Sequence, residues 1–347
     1  MEFASDNTSS VAPEVMAALA RANEGYAPSY GVEAAMEEVT ARIRTLFAAP
    51  QAEVRLVATG SAANALALAT LVEPWQTVFC HRNAHIEEDE CGAPEFYSGA
   101  KLTLLEGRDA KIAPESFSAA LAFTGRAGVH NVQKGALSLT NATENGASYR
   151  PAEVAALVAL AREAGIPVHM DGARLANALA FTGAAPAEMV AGIDALSFGG
   201  TKNGLMGVEA VVIFDPARAW EFELRRKRGG HLFSKHRYLS AQMLAYLEGD
   251  LWLRLARQAN GAAARLAAGI GALPGARLDH PTEANEVFAA FPRAAHRRAM
   301  AAGAHYYLWP FSQSLQGDPE EPLAARMVCS WSTTEAEVDR FLDLLHG

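Results

Sequence analysis

The chain predicts an α/β fold: a mostly parallel sheet with helices on both faces, followed by a smaller α+β region. Three observations carry this reading. Short apolar runs alternate with helical stretches between about residues 53 and 214. The clearest helical stretch, 151–164, has proline in its first turn and Gly165 just past its end. Beyond about residue 238 the alternation gives way to one long alanine- and leucine-rich helix and a few short strands. Strands separated by helices pair in parallel and are covered on both faces.

The elements follow in order. Strands are expected at 54–58, 77–80, 101–105, 136–140, 166–170, 194–198 and 207–214, with an alanine-rich helix over 61–72. The C-terminal region should hold a long helix over 249–272, strands at 286–291 and 326–331, and helices over 293–302 and 335–345. At 347 residues the chain is long enough for two domains, because single cores stop growing near ~250–300 residues. Half of it is hydrophobic and 20% is charged, as in ordinary globular enzymes. A net charge of −9 argues against nucleic acid or an anionic membrane as partner. Cys80, Cys91 and Cys329 lack paired or metal-like spacing, which fits reduced thiols and a cytoplasmic location. No run of 18 apolar residues and no signal peptide is present, in keeping with that location.

Lys202 stands out chemically. Two glycines after the sixth apolar run deliver this single lysine to a tight turn, with Asn203 and Gly204 next. A lysine held against a core strand suits a desolvated nucleophile that forms a Schiff base with a carbonyl cofactor. Asp171 ends the preceding strand, about one helix-plus-strand unit upstream, so the two sit at neighbouring strand ends, where open α/β sheets bind ligands. His169 shares its face, and with a helix expected to begin near Gly172, Arg174 sits close beside the same mouth. Asp171 reads as a helix cap, a metal ligand or the partner of a protonated ring nitrogen. With Lys202, the last reading matches pyridoxal phosphate, whose pyridine nitrogen must stay protonated to act as an electron sink.

Small residues at 58–64 form a strand-to-helix turn that reads as a capped helix start, with Ser61 as cap, or as a phosphate cradle. His85 opens the acidic run 85–90, which reads as a wet helix start or as a ring-stacking or basic histidine. His81 and His85 lack a third ligand, so no metal is expected. The basic run 225–237 lacks interleaved aromatics and reads as a solvated helix face.

Phe3-Ala-Ser-Asp-Asn7, Tyr30-Gly31, Thr59-Gly-Ser-Ala-Ala-Asn64, the His85 segment with Glu90-Cys-Gly-Ala-Pro94, His169-Met-Asp-Gly-Ala-Arg174 and Phe198-Gly-Gly-Thr-Lys-Asn-Gly204 together resemble the low-specificity L-threonine aldolases. The resemblance covers nearly the whole chain. It implies the aspartate-aminotransferase-like fold with a seven-stranded sheet, divided into an N-terminal arm (1–30) that contributes to the active site, a large pyridoxal phosphate-binding domain (31–240) and a small domain (241–347). It implies Lys202 as the Schiff-base lysine, Asp171 as partner of the pyridine nitrogen and His85 as ring-stacking residue. Gly60, Ser61 and Ala62 would hold the phosphate, and Ser5, Arg174 and Arg326 the substrate carboxylate. It further implies homodimers or homotetramers with sites at the subunit interface, Ser5 and Tyr30 donated across it, and Lys227 reaching the partner's cofactor phosphate.

The implied reaction is reversible cleavage of L-threonine, L-allo-threonine and other β-hydroxy-α-amino acids to glycine and an aldehyde. In one respect the chain departs from the pattern: Asn141-Ala-Thr-Glu-Asn-Gly146 has Glu144 where many members have the histidine that contacts the substrate hydroxyl. The base is then Glu144, His85 or a water. Alternatives are a phenylserine-preferring aldolase, a β-eliminating pyridoxal phosphate lyase, and a cofactor-binding protein without catalysis. Against the last stands the joint presence of Lys202, Asp171 and Arg174.

Overall fold

Seven strands form the main sheet: β1 (Glu53–Val57), β2 (Gln76–His81), β3 (Lys101–Leu105), β4 (Gln133–Thr140), β5 (Val168–Gly172), β6 (Ala195–Gly199) and β7 (Glu209–Ile213). They come from a computed structural model, which describes residues 1–346. The strand order is β1-β7-β6-β5-β4-β2-β3. β2 to β6 pair in parallel with their neighbours, whereas β7 runs antiparallel to both β6 and β1. Only residues 200–208 join β6 to β7, far too few for the crossover that a parallel pair needs. The turn bearing Lys202 occupies that short connection.

β5, β6 and β7 are buried along their whole length. That explains why they read as continuous apolar runs rather than alternating ones. One face of the sheet packs on the helix Gly60–Leu71, buried from Ala62 onward. Against the other lie the helices Pro13–Ala22, Ala34–Leu46, Pro151–Glu163 and Arg237–Leu247.

The expected smaller region is also present. Its sheet has the order β10-β11-β9-β8, from β8 (Arg277–Leu278), β9 (Glu286–Pro292), β10 (Tyr307–Leu308) and β11 (Pro322–Val328), all antiparallel. The helices Leu251–Gly271, Arg293–Ala301 and Glu335–His346 complete its core. Phe3 is buried in that same core: its N–H donates to the His305 carbonyl at 2.8 Å, and its carbonyl accepts from the Val328 N–H at 2.8 Å. The N-terminus is therefore stitched into the small sheet.

Three local expectations are corrected. The last strand is Pro322–Val328 rather than 326–331, because it pairs with β9 from Pro322 opposite Pro292 to Val328 opposite Glu286. After Val328 the chain enters a Ser330–Thr333 turn, which the apolar Cys329 and Trp331 disguise. The helix after β5 starts at Leu175, not near Gly172, so Arg174 is its N-cap residue. The cap of the helix Gly60–Leu71 is Thr59, not Ser61: the Thr59 hydroxyl accepts the Ala62 N–H at 3.2 Å.

Gly199, at the end of β6, touches the chain leaving β5. A Cβ there would lie 2.4 Å from the Ala173 carbonyl oxygen and 2.6 Å from its Cα. Backbone cannot swing aside as a side chain can, so Gly199→Ala should cost about 1–3 kcal/mol. Urea unfolding of the variant beside wild type measures the loss; an unchanged midpoint would refute this packing.

Candidate active site

At the carboxyl ends of β5 and β6 lies a cavity of about 230 Å³, bounded among others by Lys202, Asp171, His85, Asn64, Ser61 and Glu209. Lys202 is the middle residue of a 3₁₀ turn, Thr201–Asn203. The turn is tied down on three sides. The Gly200 N–H donates to Glu209 Oε2 at 2.7 Å, and Asn203 Nδ2 donates to Tyr246 Oη at 2.7 Å and the Trp252 carbonyl at 2.8 Å. The Gly204 carbonyl accepts from the Ala12 N–H at 2.9 Å. By contrast, the Lys202 amine has no hydrogen-bond or ion-pair partner among the described residues. Its backbone is rigid and its amine is available.

Asp171 is buried near the end of β5. Its Oδ1 accepts the Ala173 N–H at 3.0 Å and its Oδ2 accepts from Asn64 Nδ2 at 3.0 Å. It caps no helix, and no cluster of metal-ligating side chains occurs among the described residues. Asn64 Nδ2 also donates to Glu90 Oε1 at 2.9 Å, and the same oxygen holds His85 Nδ1 at 2.8 Å. One network therefore runs from His85 through Glu90 and Asn64 to Asp171. Burial pushes His85 toward neutrality, but the Glu90 hydrogen bond and the charges of Glu144 and Asp171 outweigh it and raise its pKa. His169 is the opposite case. Wholly buried between Ser138 Oγ (3.0 Å) and Ser197 Oγ (3.3 Å), it is driven down to about 4 by burial and does not line the cavity.

Beside Lys202 the helix Gly60–Leu71 presents its N-terminus. Among the described residues the Gly60 and Ser61 N–H groups have no partner, whereas Ala62 is committed to Thr59. A Cβ on Gly60 would meet nothing within 4 Å, so the approach is open. Two free N–H groups at a helix N-terminus, a partnerless amine and a buried carboxylate fit a phosphorylated pyridine aldehyde.

Arg174 is buried and ion-paired. Its Nε and Nη2 bind Asp6 bidentately at 2.8 and 3.1 Å, while Nη1 lies 3.4 Å from Glu286 and 3.9 Å from Glu144. Arg326 Nη2 donates to Glu286 at 2.8 Å, so that carboxylate joins the two arginines. Burial opposes ionisation of Asp6, yet Arg174 and Lys202 hold it at about 2. Ser5 caps the Asp6–Thr8 turn through the Asn7 N–H; it is the neighbouring Asp6 that reaches Arg174. Tyr30 and Lys227 lie outside the cavity and against each other, with Lys227 Nζ 5.2 Å from the Tyr30 ring centroid.

Residues 2–292 match the family model for β-eliminating lyases. The chain belongs to the β-eliminating lyase family. It is 40% identical to the low specificity L-threonine aldolase of Pseudomonas sp. (strain NCIMB 10558), covering 97% of this chain and 94% of the relative. To that of Pseudomonas aeruginosa it is 41% identical, covering 99% and 95%. The solved structure of Leishmania major threonine aldolase superposes with a TM-score of 0.92 at 27% identity, covering 99% of this chain and 98% of that one.

Within this lyase fold the structure gathers Lys202, Asp171, His85, Gly60 and Ser61 at one cavity and sets Arg174, Glu144 and Arg326 in one ionic cluster. Sequence reasoning missed Asp6, Asn64, Glu90, Glu209 and Glu286. The acidic run did contain Glu90, but nothing in it separates this buried carboxylate from the more exposed Glu88. A spare acid in an apolar strand, as at Glu209 and Glu286, was a readable signal.

Asp6→Asn should cost about 3–5 kcal/mol at neutral pH, since it strips a buried arginine of its bidentate partner. The Asp6 pKa is below its unfolded value, so its ionic contribution is present above pH 4 and fades as pH falls toward 2. Urea unfolding of both proteins from pH 7 to about 3 should show a gap that narrows below about pH 4. A gap that does not vary with pH would contradict the pairing.

Proposed function

We propose that this chain is a pyridoxal phosphate-dependent lyase that cleaves L-threonine and other β-hydroxy-α-amino acids to glycine and an aldehyde. The observation that carries the reading is the partnerless Lys202 amine sharing a cavity with buried Asp171 and an open helix N-terminus. The threonine aldolase names of the relatives support the substrate class. When bound, pyridoxal phosphate supplies the electron sink for the bond broken at the substrate's Cα.

Lys202 would be the attachment point, Gly60 and Ser61 would hold the phosphate, and Asp171 would keep the ring nitrogen protonated. Asn64 fixes the Asp171 carboxylate. His85 would stack on the ring, and because Nδ1 is held by Glu90, Nε2 is its free atom. Arg174 and Arg326 receive the substrate carboxylate, with Arg174 Nη1 as the nitrogen that Asp6 leaves available. Their task would be alignment: by fixing the carboxylate they would select which bond at Cα is cleaved, and such orientation is worth ~7–11 kcal/mol.

His85 Nε2 takes the β-hydroxyl proton, its basicity raised by Glu90 and Glu144. A second reading gives that proton to Glu144, whose carboxylate lies 3.9 Å from Arg174 Nη1 and therefore beside the bound carboxylate. Tyr30 and Lys227, paired away from this cavity, belong in this reading to the site of a second copy in a dimer or tetramer. Free cysteines at 80, 91 and 329 support a cytoplasmic setting, and no described helix is long and apolar enough to cross a membrane.

Glycine release from L-threonine, L-allo-threonine, phenylserine and serine, with pyridoxal phosphate added, tests the reading. Aldehyde plus glycine is expected; ammonia plus a keto acid would indicate β-elimination instead. Borohydride should trap the cofactor on Lys202, and Lys202→Ala should abolish both trapping and turnover; a fully active variant would refute the assignment. His85→Asn should lower kcat by about 10²–10⁴-fold and Glu144→Gln by less than about tenfold. The reverse order would move the base to Glu144.

A further inference from the structure

Glu209 has no part in the reaction as derived so far, yet it is buried beside Lys202. It opens β7, opposite Val57 of β1 on one side and Gly199 of β6 on the other. Alternation along β7 puts it on the face of Val211 and Ile213, which pack on the helix Gly60–Leu71. It therefore stands beside that helix's N-terminus, opposite Val57, the residue just before the turn that begins at Ala58. It is 5% exposed, and lines the same cavity as Gly60, Ser61 and Lys202. One carboxylate oxygen accepts the Gly200 N–H at 2.7 Å, two residues before Lys202.

We propose that Glu209 is a positioning residue for the lysine turn, and that it carries a proton whenever the cavity holds the cofactor's phosphate. This rests on the pyridoxal phosphate reading above. The reason is electrostatic. A phosphate at Gly60 and Ser61 would bring nearly two negative charges into a space of about 230 Å³ that already contains Glu209. Like charges in a small, poorly solvated site cannot all ionise, and the carboxyl is the group that can take up a proton.

Apart from Lys202 and the hydrogen bonds of the lysine turn, the surroundings do not hold its charge. The helix Gly60–Leu71 has no charged side chain, and neither Val57 nor Gly199 offers one. The groups that face it are Lys202 on the turn and Tyr246 behind Gly199, with Asp171, His85 and Glu90 across the cavity. Burial already lifts Glu209 to about 7 against the pull of Thr201, Gly200 and Lys202, so its proton is within reach at neutral pH. Protonated, the carboxyl still accepts from Gly200 and gains an O–H to give the phosphate.

Glu209→Gln reproduces the neutral form, with an acceptor for Gly200 and a donor toward the cavity; Glu209→Leu has neither. Pyridoxal phosphate is titrated by visible absorbance into wild type and both variants between pH 6 and about 8.5, with proton uptake followed by an indicator dye in weak buffer. Wild type and the Gln variant should bind equally at pH 6. Above pH 7 wild type should weaken by about tenfold per pH unit relative to the Gln variant, and take up about one more proton per site. The Leu variant should capture the cofactor more slowly at every pH. Identical pH profiles for wild type and Gln would overturn the charge assignment, and wild-type capture by Leu the positioning role. Should wild type bind no pyridoxal phosphate at all, the cofactor reading falls and this inference with it; binding by wild type that the Gln variant tracks at every pH removes the Glu209 inference alone.

Discussion

Arg174 is the point at which three separate parts of the chain meet. Its guanidinium, next to the end of β5, binds Asp6 of the N-terminal segment and lies against Glu286 of the small sheet, which in turn holds Arg326. Asn285 Nδ2 adds a donor to Asp6 at 3.0 Å and another to the Cys329 carbonyl at 2.8 Å. A buried cation without partners is expensive, so once Arg174 is placed inside, Asp6 and Glu286 must come to it. The N-terminal segment and the small sheet thereby acquire a fixed relation to the mouth of the large sheet. That relation puts Asn7 on the wall of the Lys202 cavity.

A second constraint is the short link between β6 and β7. Because the chain reverses within a few residues, β7 returns antiparallel beside β6, and its first residue, Glu209, hydrogen-bonds the turn that the reversal creates. The lysine turn is thus braced by the strand that follows it, by Asn203 against Tyr246 and by Ala12, just ahead of the helix Pro13–Ala22. Rigid backbone with an available side chain is what a covalent attachment point requires: the turn cannot drift, while the amine can still reach its partner.

His85 and His169 illustrate how environment separates identical residues. Both are largely removed from water and both feel Asp171, yet the pKa of one is raised and that of the other is lowered to about 4. The difference is a direct hydrogen bond to the Glu90 carboxylate in the first case and two serine hydroxyls in the second. In the proposed reaction the first takes up a proton and the second stays neutral, a spacer between strands β4 and β6. Glu90 and Asn64 also link His85 to Asp171, so these two side chains are positioned together.

Much was legible in the amino-acid order. The seven strands of the large sheet, the lysine turn and Asp171 one unit upstream follow from local patterns: apolar runs, glycine punctuation and residue spacing. Such features depend on neighbours within a few residues, and the chain states them directly. The direction of β7 was not among them, although the brevity of the 200–208 link contained it. Asp6, Asn64, Glu90, Glu209 and Glu286 entered the site only through the fold, since each owes its meaning to a partner distant in the chain: Asn64 to Asp171, Asp6 to Arg174, Glu286 to Arg326. The position of Tyr30 and Lys227 away from the cavity was equally a matter of tertiary placement. Local patterning decides which segments form and which chemistry each can bear; burial and long-range pairing decide which charged groups must share one dry space, and so which of them form the site.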